Sequence, residues 1–456
     1  MASPLIYIEG SMSYFSAIAQ LNAMTPELYA KAGQPRRKFS LDEVRTLLGA
    51  LGDPQKQFRA VLIAGTNGKG STAATLATIL TEAGHRTGLY TSPHLERPNE
   101  RMRVDGTEIA DDDFARIFFL VRDMACGLVD EGRLPQQPSY FEMLTALGFL
   151  YFTERKVEIA VLEVGMGGRL DATNVVEPLV SIVTDISLDH MDWLGSTIAE
   201  IAREKAGILR PGGTMITLPQ HPEANQVLGE AARELGVRGV SAVEYLPATE
   251  ARGIYAVKAL DETVEVDSPL VGAHQQRNVA LAIAAAVELT RRHGFRVSPA
   301  AIAEGIRRTH WPGRLERIER GGVVWILDVA HNPAGAWALR SGLCGRLREE
   351  RTRLLIFSCL RDKPLTEMAQ ILFPLFDQVI LAPIHTARAT SRDELLAAAR
   401  ATGTRAVAAE SIGQALELAR RSVSEQTRGG VVVVSGSAYL VGEARTRLLA
   451  GGGAGA

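Results

Sequence analysis

The stretch Val61 to Thr72, VLIAGTNGKGST, constrains this chain more than any other. Val61 to Ala64 is an apolar run suited to a buried parallel strand. It breaks into Gly65-Thr66-Asn67-Gly68-Lys69-Gly70, after which Ser71 and Thr72 open a small-residue helical pattern through Ala83. Glycines let backbone N–H groups turn toward a polyanion, the following helix points its positive end at the same place, and Lys69 adds a mobile charge. The stretch therefore predicts a phosphate-binding loop. The general pattern has Ser or Thr directly after Gly-Lys; here Gly70 intervenes. The bland reading is a glycine-rich turn that binds nothing.

At 456 residues the chain has room for roughly two or three domains. Its 50 basic and 52 acidic side chains leave a net charge of -2, so no excess of positive charge advertises nucleic acid. Cys126, Cys344 and Cys359 lie far apart without C-x-x-C spacing, which argues against a disulfide framework or a zinc site and fits a reducing compartment. The start, MASPLIYIEG, has only the short apolar run Leu5 to Ile8 and does not read as a secretory signal. The longest apolar run, Val279 to Val287, is far below the roughly twenty residues that span a bilayer. A cytoplasmic, membrane-free monomer is expected.

Apolar residues at helical spacing, among them Phe15, Ile18, Leu21, Val44, Leu47 and Leu48, suggest a helical preface. Strands are then expected at Arg86 to Thr91, Val157 to Val164, Leu179 to Thr184 and Thr214 to Leu218, with helices at Asp111 to Val129, Tyr140 to Phe152 and Thr197 to Ala206. Asp105-Gly106 suggests a short hairpin, and residues 240–272 a small antiparallel ribbon. Helices return at Gln276 to His293 and Pro299 to Arg308. This alternation predicts an α/β fold, a P-loop mostly parallel sheet with helices on both faces. Trp-Pro-Gly in residues 309–313 marks a linker. Beyond it, strands at Val323 to Val329, Leu354 to Ser358, Val379 to Ala382 and Val431 to Ser435 predict a smaller doubly wound C-terminal α/β domain. The expected organisation is thus an ATP-binding domain over 1–308, a linker, a C-terminal domain over 314–450, and a disordered tail, GGGAGA, over 451–456.

Sites in open parallel sheets lie beyond the carboxyl ends of the strands. Those ends should deliver the phosphate loop, then Ser92 and His94, then Glu163, then Asp185, Asp189, His190 and Asp192. A hydroxyl, a carboxylate and an imidazole beside a triphosphate suit magnesium, which takes few protein ligands. The alternative for Glu163 is an ion pair with an arginine such as Arg169; for His190 it is a structural histidine. Lys205 shares a helix face with Ile198, Ile201 and Ala202, so its ammonium should point inward and be salt-bridged, neutralised or carbamylated, unless it snorkels to solvent. Asn278, Arg314 and Asp328 group near the expected domain seam, where a nucleotide base could bind.

Several segments together resemble one family: GTNGKGS (65–71), TSPHL (91–95), NERMRVDG (99–106), LEVGMGGRLDATN (162–174), DISLDHMDWLG (185–195), REKAGI (203–208), HQQRN (274–278), PGRLE (312–316), DVAHNP (328–333) and GSAYLVGEAR (436–445). They are similar to folylpolyglutamate synthase and the bifunctional dihydrofolate synthase, the folate branch of the Mur ligase superfamily. Gly70 is a feature of that branch. The resemblance implies an ATP-dependent amide ligase that phosphorylates a folate or pteroate carboxylate and lets the amine of L-glutamate attack the acyl phosphate. By family position Gly65, Thr66, Asn67, Gly68, Lys69, Gly70, Ser71 and Thr72 hold phosphates, and Asn278, Arg314 and Asp328 the nucleotide. Ser92, Glu163 and His190 hold Mg2+, and a carbamylated Lys205 supports a second Mg2+. Phe141 and Asp171 contact the pterin, and His331 and Ser437 the incoming glutamate. SCLRDKPL (358–365) departs from the family wording. The alternatives are a Mur-type ligase acting on a nucleotide-linked peptide, a P-loop switch, and an inactive paralogue, against which Lys69, Glu163, His190 and Lys205 all stand intact.

Overall fold

The computed structural model describes residues 12–24, 40–248, 253–344, 352–424 and 430–450. The run Leu5 to Ile8 and the tail 451–456 lie outside the described residues.

The first sheet is built from β1 (Arg59–Ala64), β2 (Thr87–Tyr90), β3 (Met102–Val104), β4 (Thr107–Glu108), β5 (Ile159–Glu163), β6 (Pro178–Val183), β7 (Thr214–Thr217) and β8 (Arg238–Ser241). Its spatial order is β4-β3-β2-β5-β1-β6-β7-β8. All neighbours run parallel except the β2-β3-β4 edge, whose hairpin turns at Asp105-Gly106 as expected. β1 lies between β5 and β6, so the loop that follows it opens at the middle of the sheet.

Strand period explains why these segments are apolar throughout: Val61 and Ile63 face one core, Leu62 and Ala64 the other. One core is closed by helices that include Asp111–Asp130, Tyr140–Glu154 and Ile198–Ala206, together with the two preface helices Tyr14–Ala23 and Leu41–Ala50. The other is closed by Lys69–Glu82, Ala273–His293 and Pro299–Arg308. The expected ribbon is a two-stranded antiparallel hairpin, β9 (Tyr255–Ala259) and β10 (Glu262–Val266).

The second sheet comprises β11 (Glu316–Arg320), β12 (Val323–Asp328), β13 (Thr352–Phe357), β14 (Gln378–Leu381), β15 (Ala406–Ala408) and β16 (Gly430–Ser435), in the order β11-β12-β16-β13-β14-β15. Only β11 is antiparallel to its neighbour. Val433 and Val431 face one core of this unit and Val432 and Val434 the other, so it too is covered on both faces. Among the described residues no helix is long and apolar enough to cross a membrane.

Candidate active site

The loop after β1 is held by close fits that only glycine allows. A Cβ on Gly65 would lie 1.7 Å from Thr184 Oγ1, and one on Gly68, whose φ is +90°, would lie 2.2 Å from Asn278 Oδ1. The amides of Thr66 and Asn67 donate to the Asp185 carbonyl (2.9 and 3.2 Å), and Thr66 Oγ1 donates to the Ser187 carbonyl (3.0 Å). The helix begins at Lys69, two residues earlier than its small-residue pattern suggests, so Ser71 and Thr72 belong to its first turn. Among the described residues neither buried hydroxyl has a hydrogen-bond partner. A buried donor left unsatisfied costs about 1–3 kcal/mol, which a ligand oxygen would relieve.

Two lysines converge on this loop. Lys69 Nζ donates to the carbonyls of Gly65 and Thr66 (3.1 and 3.3 Å), and Lys205 Nζ donates to the same Gly65 carbonyl (2.8 Å). Lys205 is buried, as its helix face predicts, and no carboxylate pairs with it among the described residues. Burial first, and then the positive charge of Lys69, pull its pKa down to about 7. Of the readings open to an inward lysine, the salt-bridged one does not form among the described residues, and burial shifts the group toward its neutral amine.

Glu163, at the end of β5, is buried and accepts from the Ser92 amide (Oε2, 3.1 Å). Burial raises its pKa against the pull of Lys69, the Ser92 amide and Arg314. The pairing with Arg169 does not form: that arginine reaches Glu204 instead, at 2.9 Å. His190 adopts a left-handed backbone, φ +49°, ahead of the short helix Met191–Leu194, and burial pushes its imidazole down to about 3. Among the described residues no three His, Cys, Asp or Glu side chains cluster as a closed metal cage. An unpaired buried carboxylate beside orphaned hydroxyls fits a cation that takes few protein ligands and completes its shell with phosphate and water.

Around this centre the other expected residues fall into three groups. Asn278 packs on Gly68, while Arg314 lies between the charges of Asp328 and Glu163. Asp328 fixes the chain with both oxygens, accepting from the amides of Leu315 and Ala330 at 2.9 Å each. Phe141 and Asp171 meet at Gly165, where a Cβ would lie 2.6 Å from Phe141 Cζ and 3.2 Å from Asp171 Oδ2. His331 donates from Nδ1 to the Val329 carbonyl (2.8 Å), and its Nε2 lies 3.8 Å from Asp189. Ser437 caps the helix Ala438–Ala450, its Oγ accepting from the Tyr439 amide (3.2 Å), and makes no hydrogen bond to the Asp189 cluster among the described residues.

The structure adds residues that the sequence reading leaves out. Lys363, in the departing SCLRDKPL segment, forms a buried ion pair with Asp189 (2.6 Å), and Asn332 Nδ2 bridges Asp189 and Asn67 (3.1 and 3.0 Å). Arg101 donates from Nε to His94 Nδ1 (2.9 Å) and lies over the Tyr140 ring. The rule that chemistry follows strand ends, applied to β13, points toward Lys363; nothing local marks it as buried.

A phosphate loop at the centre of one doubly covered sheet, closed by the strand ends of a second, defines a two-domain nucleotide-dependent ligase of the Mur type. The comparisons agree and go further. The Mur ligase middle domain matches residues 63–286, and the Mur ligase glutamate ligase domain matches residues 313–438. A Bacillus subtilis dihydrofolate synthase/folylpolyglutamate synthase is 35% identical over 90% of this chain and 95% of its own length. A Lacticaseibacillus casei folylpolyglutamate synthase is 35% identical over 96% of this chain and 100% of its own. The crystal structure of Mycobacterium tuberculosis folylpolyglutamate synthase complexed with ADP and AMPPCP superposes with a TM-score of 0.85 at 31% identity, covering 96% of this chain and 99% of that one. The chain belongs to the folylpolyglutamate synthase/dihydrofolate synthase family, as its motifs lead one to expect.

Proposed function

We propose that the chain is an ATP-dependent carboxylate–amine ligase that adds L-glutamate to folates, to dihydropteroate, or to both. The observation that carries this reading is the convergence of Lys69 and Lys205 on the Gly65 carbonyl, beside the buried, unpaired Glu163. The Lys69 ammonium and the Lys205 amine held at one carbonyl, next to the buried, unsatisfied hydroxyls of Ser71 and Thr72, make a site that a polyanion completes. A relative supports it: an Escherichia coli FolC complexed with DHPP and ADP has the same fold, with a TM-score of 0.81 at 31% identity, covering 96% of this chain and 98% of that one.

In this reading the loop Gly65 to Thr72 grips the phosphates of ATP through the amides that open its helix, the hydroxyls of Ser71 and Thr72 and the ammonium of Lys69, while the Thr66 and Asn67 amides, donated to the Asp185 carbonyl, hold the loop's shape. Asn278, Arg314 and Asp328 hold the nucleoside end. Ser92, Glu163 and His190 would hold Mg2+, and Lys205, as a carbamate, would support a second Mg2+; bound there, the ions would supply positive charge to the phosphate oxygens. The carboxylate oxygen of the folate takes the γ-phosphoryl group of ATP. The amine of glutamate then attacks the acyl carbon, an amide bond forms, phosphate departs, and the amine gives up a proton. Phe141 and Asp171 hold the pterin, and His331 and Ser437 orient the glutamate. Catalysis needs no protein nucleophile, since positioning and fixed positive charge suffice. Burial of the loop by the second sheet keeps water from the acyl phosphate.

The same reading divides the chain into a ligase domain over 1–308, a linker over 309–313 and a glutamate-ligase domain over 314–450, and places a monomer in the cytosol. Its test is ADP release with ATP, magnesium and L-glutamate, comparing dihydropteroate with tetrahydrofolate. Stimulation by the first gives dihydrofolate synthesis, by the second polyglutamate extension, and by both a bifunctional enzyme. Stimulation by neither ends the folate reading.

A further inference from the structure

Gly70 is the second residue of the helix Lys69–Glu82, a position where alanine is the better helix former. Its φ is not positive, so the backbone does not demand glycine. The constraint is a tight fit, in which the neighbours of a Cβ would have to yield by a few tenths of an ångström. A Cβ there would lie 3.1 Å from Trp311 Nε1, 3.2 Å from Trp311 Cζ2 and 3.3 Å from Glu163 Oε2. The indole edge, the start of the loop helix and the Glu163 carboxylate therefore meet at one point.

Trp311 belongs to the short segment between the helix Pro299–Arg308 and β11. From the first sheet, the Arg103 guanidinium of β3 covers its ring at 5.6 Å. From the second, the same segment is fixed two residues on: the Gly313 carbonyl accepts from the Val329 amide (3.0 Å), and the Gly313 amide donates to Glu316 Oε2 (2.9 Å). Glu316 in turn pairs with Arg445, which also reaches Glu96 on the loop after β2. The indole of the segment connecting the two sheets and the carboxylate at the phosphate site thus border the same point at the start of the loop helix.

We infer that Trp311 is a positioning residue for the ligation step. It fixes Glu163 against the start of the loop helix, and its place in the connecting segment makes that geometry depend on how the C-terminal sheet is docked. Gly70 is the clearance the indole requires. This inference rests on reading the loop as an ATP phosphate site.

The test uses the full chain as wild type, W311F, W311A, G70A and the G70A/W311A double variant. Steady-state ligation is measured together with MgADP titrations followed by tryptophan emission. W311A should lower kcat about a hundredfold while changing the KM for ATP less than about threefold, and W311F should recover most of the rate. G70A should be similarly slow, yet add little to W311A, because the two indole atoms its Cβ meets first are gone and the Glu163 carboxylate has room to yield. The emission change caused by MgADP should be lost in W311F. A W311A defect confined to the KM for ATP, multiplying losses in the double variant, or an undiminished emission change in W311F would each overturn the inference. If the wild type turns over neither acceptor, the ligase reading fails separately, and the emission titration alone decides the Trp311 contact.

Discussion

The ion pair between Lys363 and Asp189 gives the sharpest quantitative expectation. Nζ and Oδ1 are 2.6 Å apart, with side chains only 4% and 7% exposed. Burial alone would raise the Asp189 pKa, but Lys363, His190 and His331 outweigh it and hold the carboxyl well below its ordinary range. Removing one member of such a pair strands a buried charge at a cost of about 3–5 kcal/mol. Here the two partners belong to different sheets, so K363A lets Asp189 regain water by parting them, and the cost falls on closure rather than on folding. At about 1.4 kcal/mol per factor of ten, the closed population relative to open should fall by roughly 10² to 4 × 10³. Amide formation should fall with it, while MgADP binding to the first sheet stays near wild type. ADP should then be released in excess over amide product, because an acyl phosphate formed without closure meets water. The ratio of ADP to amide, read alongside the radius of gyration from small-angle scattering, measures this. A D189N/K363M double variant should be more active than either single change, since no lone charge remains. K363A with a ratio near one and an unchanged radius would refute the reasoning, as would losses that multiply in the double variant. The sign with pH is also fixed: the depressed Asp189 stabilises closure fully above its unfolded value near 3.8 and loses that contribution only as pH falls through the lower folded value.

Three further outcomes are expected. With a folded pKa of about 7 against 10.5 for the free side chain, Lys205 is neutral in the folded chain across that window, so the stability of the unmodified protein should rise with pH over it. Neutral amine is also the form that takes up CO2: ligation should increase with bicarbonate and through pH 7, and 13C-bicarbonate should give a carbamate carbon signal that K205A lacks; activity flat from mildly acid to mildly alkaline pH would count against the modification. Gly68→Ala places a Cβ 2.2 Å from Asn278 Oδ1 at φ +90°, and calorimetry should show MgADP affinity down by about a hundredfold; wild-type affinity would remove the loop from the phosphate site. Gly165→Ala drives a Cβ to 2.6 Å from Phe141 Cζ, so the KM for the folate or pteroate acceptor should rise about tenfold with the KM for ATP unchanged, and a shift in the ATP term instead would place the pterin elsewhere.

What the sequence discloses about this molecule follows the range of the interactions involved. Buried parallel strands announce themselves because both faces are covered, which is why Ile159–Glu163 and Gly430–Ser435 are apolar at every position or nearly so. Edge strands do not: Arg238–Ser241 and Glu316–Arg320 alternate half-buried with exposed positions, and Ala406–Ala408 is short and only half covered, so none stands out from a loop. The phosphate loop is legible because its glycines, lysine and hydroxyls are contiguous and its geometry is local. Even Lys205 can be placed, since its inward direction follows from the face it shares with Ile201 and Ala202 on one short helix. Pairing across the chain is another matter. Arg169 is near Glu163 in sequence yet spends its charge on Glu204, and Lys363 looks like any lysine of a polar loop until the second sheet carries it to an aspartate 174 residues away. A charged side chain in a loop has the same local pattern whether it ends in water or in an ion pair, and only the docking of the two sheets decides between them. Lys363, Asn332, Trp311 and Arg445 all depend on that docking, and local patterns leave their partners unmarked, although Trp-Pro-Gly does mark the linker in which Trp311 lies. They are where substitutions should separate ligation from nucleotide binding, because each acts on how the sheets meet and not on the loop that grips phosphate.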